Sequence, residues 1–181
     1  MEIRTAATGQ LTAGELASVR ALLVDAFGGE FGDDDWDHAL GGVHVLALDD
    51  RGDGDRSVVG HAAVVGRVLV AGERALRAGY VEAVATAPAR QGRGVGSTVM
   101  ARAGELVRGA AEVGALATGR HGFYARLGWE RWRGPTSVAR PAGREPTPDD
   151  DDAVMVLRFG PSAGLALDLP LTCDDRPGDP W

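Results

Sequence analysis

The chain has 181 residues, a single cysteine (Cys173) and a formal net charge of -7, which suits one domain with a sizeable core and is short for two. The lone cysteine excludes an intrachain disulfide and a cysteine-rich metal cluster, and the absence of lysine and asparagine excludes a pyridoxal phosphate Schiff base and N-glycosylation. The acidic balance argues against a nucleic-acid or anionic-membrane partner and admits a cationic one.

Residues 2–7 read as a first strand. Over 12–27 (TAGELASVRALLVDAF), Leu16, Val19, Leu23 and Phe27 recur along one helical face, and Thr12 with Glu15 makes a capping box. GDDDWDHAL predicts a short second helix whose acidic first turn suits the positive end of its dipole. HVLALDD, SVVGHAAVVGRVLV and LRAGYVEAVAT read as strands, the first two separated by a turn-forming RGDGDR. Residues 95–109 predict a helix, GALAT a strand, HGFYARLG a short helix, and two more strands fall near 129–139 and 153–159. From Pro161 to Trp181 the tail holds four prolines; within it LALDLPL alternates like an edge strand and the remainder reads as loop. The order gives an α/β class with a mixed sheet in one domain over 1–181. The longest apolar stretches are strand-sized and MEIRTAATGQ lacks the apolar core of a signal peptide, so a soluble, cytoplasmic protein is expected.

The stretch VEAVATAPARQGRGVGSTVM (81–100) carries three alternate glycines before the helix. A Walker A loop needs GxxxxGK[ST], and here the lysine is missing; a Rossmann fingerprint needs GxGxxG near the first strand, and GRGVG has other spacing and lies mid-chain. What remains is a strand, the loop Gln91, Gly92, Arg93, Gly94, Val95 and Gly96, and a helix N-terminus. Such bare backbone N–H groups, with the helix dipole, suit a pyrophosphate; composition alone leaves a ligand-free turn equally open.

The pattern Gln91-x-x-Gly94-x-Gly96 resembles the acetyl-CoA signature of the GNAT N-acetyltransferases. Five segments in order, DWDHALGGVH (35–44), GYVEAVAT (79–86), GPTSV (134–138), TPDDDDAVMVL (147–157) and CDDRPGDPW (173–181), narrow the resemblance to the aminoglycoside 2'-N-acetyltransferases. This resemblance implies a GNAT fold, a mixed central sheet flanked by helices with a splayed strand pair that binds acetyl-CoA. It implies a homodimer, no metal, and residues 161–181 completing the acceptor site.

By resemblance, Val84, Ala85 and Thr86 lie along the pantetheine arm, the Val84 amide stabilises the developing oxyanion, and residues 91 to 97, ending at Ser97, hold the pyrophosphate. Side chains at Gly92, Gly94 and Gly96 would obstruct it; Arg93 is either a charge contact or a solvated arginine. The amine must lose a proton before it attacks. Strand alternation puts Val81, Ala83 and Ala85 on one face and Glu82, Val84 and Thr86 on the other. The family assigns Glu82 as a remote base acting through water, where a Glu in a sheet is otherwise commonly paired with an Arg. Tyr124, in the short helix after GALAT, is the matching general acid for the thiolate; the bland role is a packed tyrosine.

Asp35, Asp150, Asp151, Asp179 and Trp181 match positions that hold the aminoglycoside, with Glu82 and Ala83 beside them and the contact within 149–152 open by one position. Where the family tends to have a serine-rich stretch, this chain has Ala117-Thr118-Gly119, so a hydroxyl contact is lost at Ala117 or moved to Thr118. His38, His44, His61 and His121 lack metal-ligand spacing; His44 and His61 read as core or supporting residues. The expected activity is direct acetyl transfer to an aminoglycoside 2'-amine, conferring resistance. Acetylation of another small cellular amine, and sequestration without catalysis, are the alternatives.

Overall fold

The computed structural model describes residues 1–50 and 56–181; the expected RGDGDR turn falls on 51–56, of which 51–55 lie outside the described residues. The chain forms two compact units, Met1–Val65 with Val81–Ala103, and Gly66–Tyr80 with Gly104–Trp181.

The first unit contains β1 (Glu2–Ala7), α1 (Ala13–Ala26), α2 (Asp33–Ala39), β2 (Val43–Asp50), the start of β3 (Arg56–Ala71), the end of β4 (Arg74–Thr86) and the start of α3 (Val95–Ala110). β1 pairs antiparallel with β2, and β2 with β3, so that Leu46 faces His61 across the ladder. The α1 capping box forms as expected: Glu15 N–H donates to Thr12 Oγ1 at 3.2 Å and Thr12 N–H to Glu15 Oε2 at 2.9 Å. Val19, Leu22 and Leu23 are buried with Leu46, Leu48 and Ala85, and Leu16 packs against them. Phe27 departs from the expected face. The helix ends at Ala26, and Phe27, at its C-cap, is exposed and stacks on Phe31 with ring centroids 5.7 Å apart.

Gly60 fixes the approach of α3. A Cβ there would meet Val95 Cγ1 at 2.7 Å and both Ala47 and Val99 at 3.2 Å, so only a bare backbone lets the first turn of the helix lie this close to β3.

The second unit contains β5 (Val113–Ala117), α4 (His121–Ala125), β6 (Glu130–Arg131), β7 (Thr136–Arg140), β8 (Gly143–Pro146), β9 (Val154–Arg158) and β10 (Leu171–Asp174), with the end of β3 and the start of β4. Its strand order is β6-β9-β5-β4-β3-β10-β7-β8, in which β4–β5 and β10–β7 are parallel and β5–β9 and β10–β3 antiparallel. The mixed α/β class holds. Among the described residues the β4–β5 register is Ala78↔Val113, Gly79↔Gly114 and Tyr80↔Ala115, so β4 leaves its neighbour after Tyr80.

The tail differs from expectation. LALDLPL does not form an edge strand; the strand is β10, one step later, and it lies between β3 and β7. Leu165 and Leu167 are buried alternately, but the segment is fastened irregularly, with Arg133 and Gly134 N–H groups both donating to Leu167 O at 2.7 and 3.2 Å. Gly134 is obligatory there, since a Cβ would stand 1.9 Å from Leu169 O. The stretch expected as one strand near 129–139 is two, β6 and β7, and β8 follows unanticipated. Among the described residues no helix is long and apolar enough to cross a membrane.

Candidate active site

In the first unit the candidate residues cluster on the end of β4 and the loop that follows. Glu82, Ala83, Val84 and Thr86 are half-buried and Ala85 is buried. Ala83 has φ 51°, the only positive value at a non-glycine among the described residues. This left-handed residue interrupts the expected strand alternation, so a period-two reading does not carry from Glu82 to Val84. Ala83 and Ala87 still pack against the core that contains Ala85.

Behind Ala83 stand two buried histidines. His61 Nδ1 lies 2.8 Å from Ala83 O, His61 Nε2 lies 2.9 Å from His44 Nδ1, and His44 Nε2 lies 2.8 Å from Thr8 Oγ1. Both rings are fully inaccessible. Burial drives His61 down to about 3, the Ala83 bond working the other way and His44 adding to the fall; burial also lowers His44.

The glycine loop is open. Gln91, Gly92, Arg93 and Gly94 are exposed, Gly92 and Gly94 have φ of 71° and 81°, and a Cβ at either would meet nothing within 4 Å. Their backbone is therefore bare toward solvent at the start of α3, where Gly94 O accepts Thr98 N–H at 3.0 Å and Thr98 Oγ1–H at 3.1 Å. Val95 is buried as the anchor, Gly96 is half-buried and Ser97 is exposed. Gln91 Nε2 donates to Thr86 O at 3.4 Å. This donor set, free N–H groups at the N-terminus of a 16-residue helix, fits a pyrophosphate. Asp35 is exposed on α2 and its carboxylate accepts Gly32 N–H at 2.8 Å.

The second unit holds the other candidates. Tyr124, in α4, is 7 % exposed, with Phe123 and Trp129 edge-on at 4.9 and 6.4 Å. Burial pushes its phenol up to about 12, partly offset by Arg120, so it stays protonated throughout the neutral range. Ala117 is exposed at the end of β5. Thr118 Oγ1 accepts Arg120 N–H at 2.9 Å, which leaves its own proton free to be donated.

The acids of the run 149–152 differ in their partners. Asp151 Oδ1 accepts both Thr136 N–H at 2.7 Å and Thr136 Oγ1–H at 2.9 Å, and Asp152 pairs with Arg131 at 2.6 Å. Asp150 is half-buried. Burial raises it above the ordinary carboxylate range, and Asp179, Asp149 and Asp151 add to the rise while the Thr147 hydroxyl opposes it. Trp181 is 4 % exposed: its indole N–H donates to Thr147 Oγ1 at 2.8 Å, its amide to Asp179 Oδ1 at 3.0 Å, and its carbonyl oxygen accepts Arg176 Nη2–H at 2.8 Å. The final residue is thus a packed, bonded element and not a frayed end.

Arginines make this possible, and the sequence reading missed them. Arg67, 7 % exposed, binds Asp174 Oδ1, Asp174 O and Pro180 O at 3.0, 2.7 and 2.7 Å, and its guanidinium stands 4.9 Å from the Tyr80 ring centroid; that of Arg176 stands 5.6 Å from the same ring. The available signal was a cation inside the apolar run VVGRVLV. Burial raises the Cys173 thiol to about 11, partly offset by Arg67, in keeping with an inert core cysteine. Among the described residues no group of three His, Cys, Asp or Glu side chains could hold a metal ion.

Comparison with known proteins gives these features a context. The acetyltransferase (GNAT) domain family matches residues 8–132. An aminoglycoside 2'-N-acetyltransferase of Mycolicibacterium fortuitum is 43 % identical over 166 residues, 90 % of this chain and 83 % of that protein. The GNAT family N-acetyltransferase YhbS of Escherichia coli, solved in complex with CoA, superposes with a TM-score of 0.65 at 18 % identity, covering 94 % of this chain and 88 % of that one. A GCN5-related N-acetyltransferase from Kribbella flavida gives 0.57 at 25 % identity over 74 % of this chain, which spans about a third (34 %) of that longer one. The chain belongs to the GNAT acetyltransferases and, among them, to the family of the aminoglycoside 2'-N-acetyltransferases.

Proposed function

We propose that the chain transfers the acetyl group of acetyl-CoA directly to the 2'-amino group of an aminoglycoside, acting as one acetyltransferase domain. The relationship to the Mycolicibacterium fortuitum enzyme carries this reading. The electrostatics support it: a carboxylate raised by burial and by three neighbouring acids, as Asp150 is, gains most when a polycation neutralises the cluster. Cytoplasmic location, a homodimer and a role in resistance belong to the same reading and rest on the family alone.

In this reading the bare loop from Gln91 to Ser97 holds the pyrophosphate, and Val84, Ala85 and Thr86 line the pantetheine arm. Glu82 receives the ammonium proton through water, and the freed nitrogen bonds to the carbonyl carbon. The Val84 amide stabilises the charge that develops on the carbonyl oxygen. The C–S bond then breaks, and Tyr124, protonated at neutral pH, donates its proton to the departing thiolate. Asp35, Asp150, Asp179 and Trp181 take the acceptor's amines, with Ala83, Ala117 and Thr118 beside it; Asp151 serves mainly to fasten Thr136.

The test is thiol release from acetyl-CoA with two matched aminoglycosides, one bearing a 2'-amine and one a 2'-hydroxyl. Turnover of the first alone is expected; turnover of neither, or a higher kcat/KM for an unrelated amine, overturns the assignment.

A further inference from the structure

We propose that Thr8, His44 and His61 form a one-way hydrogen-bond wire that holds Ala83 in its left-handed conformation and so aims Glu82 and the Val84 amide, making these three positioning residues for acetyl transfer. The catalytic part rests on the function proposed above; the wire itself does not.

The direction of every bond follows from donor chemistry. Ala83 O can only accept, so the proton between them belongs to His61 Nδ1, 2.8 Å away. A neutral His61 then has a bare Nε2, which must accept from His44 Nδ1 at 2.9 Å. His44 Nε2 is bare in turn and takes the Thr8 Oγ1 proton at 2.8 Å, shorter than the 3.3 Å from that hydroxyl to its alternative acceptor, Gly42 O. The Thr8 oxygen is itself fixed by Gly41 N–H at 3.0 Å. A proton added to His61 would place a positive charge in the core and force His44 into the opposite tautomer, reversing the wire. Burial of both rings excludes it.

The far end of the wire is where the backbone is strained. An alanine at φ 51° persists only where its surroundings over-determine it. Packing of its methyl against the core fixes one side of the peptide, and the imidazole fixes the carbonyl. Relaxation of Ala83 toward ordinary strand geometry would turn the carbonyl away and rotate its two sequence neighbours, Glu82 and Val84. Two imidazoles in series, coupled to a threonine in the turn after β1, carry that restraint through an otherwise apolar interior.

The first test reads the wire without activity. Nitrogen-15 NMR of the imidazoles in the wild-type protein should show both rings neutral with the proton on Nδ1; an Nε2–H tautomer or an imidazolium at His61 overturns the proposal. The second test uses two amides. In His61→Asn the amide nitrogen replaces Nδ1 and keeps the bond to Ala83 O, whereas His61→Gln reaches His44 and loses Ala83. We expect kcat within about threefold of wild type for the first and about tenfold lower for the second, at unchanged acetyl-CoA affinity. Adding Ala83→Gly to His61→Gln should restore most of the loss, because glycine adopts this φ unaided. Equal kcat in the two amide variants, or no rescue, overturns the positioning role. If the wild type turns over no aminoglycoside, the function fails, while the tautomer result still decides the wire.

Discussion

The glycine loop of the first unit and the closing segment of the second are built on opposite principles. From Gln91 to Gly94 every residue is exposed, and the useful groups are backbone N–H donors made available by two positive φ angles. From Asp174 to Trp181 the backbone is wrapped by side chains: Arg67 and Arg176 seize its carbonyl oxygens, and Thr147 and Asp179 hold its last residue. The first arrangement suits an anion met by rigid main-chain dipoles, the second a cation met by carboxylates held in place. Changes in one region should therefore leave the ligand of the other untouched.

The sharpest expected effect lies with the buried phenol. Tyr124→Phe should lower kcat about 100-fold with ligand Kd values nearly unchanged; a kcat within about twofold of wild type means that Tyr124 is not the acid. Removal of Trp181 should weaken aminoglycoside binding about 30-fold by calorimetry, the scale of a buried aromatic anchor, and leave acetyl-CoA binding intact. Equal loss of both ligands would break the contrast and make the tail a purely structural element. Gly94→Ala, at φ 81° with open space around the new methyl, should weaken acetyl-CoA about tenfold through backbone strain and any crowding of the ligand, and spare the aminoglycoside.

The last effect is in stability. His61 is held neutral in the folded protein down to about pH 3, while in the unfolded chain it takes up a proton near its ordinary 6.5. The unfolded state therefore binds more protons between those values, and stability falls as the pH drops below about 6.5, by at most about 1.4 kcal/mol per pH unit from this group. Denaturation between pH 7 and pH 5 should show that slope, and His61→Asn should flatten it.

The sequence made the donor side legible because its signal is local. A strand, a Gln-x-x-Gly-x-Gly loop and a helix follow one another directly, and each formed within a residue or two of its expected bounds. The capping box at Thr12 is equally local. The histidine wire was illegible because Thr8, His44, His61 and Ala83 meet only through the register of the strands, in which Leu46 opposite His61 sets the two rings on one side. The acidic run was readable as a cluster but not by member: Asp150 and Asp151 differ because Thr136, fifteen residues before Asp151, claims one of them. LALDLPL misled because its alternate burial is real but comes from packing beneath Arg133 and Gly134, with no ladder behind it.

The interior place of β10 has a consequence for how the protein is made. Leu171 pairs with Ala71, a hundred residues earlier, and on its other side with Thr136. At about 5–20 residues per second of translation, β3 therefore waits about 5–20 s on the ribosome with that edge open before its partner is synthesised. A transcript stopped short of codon 171 would yield a nascent chain whose sheet lacks the strand between β3 and β7, exposed to the protein quality-control machinery.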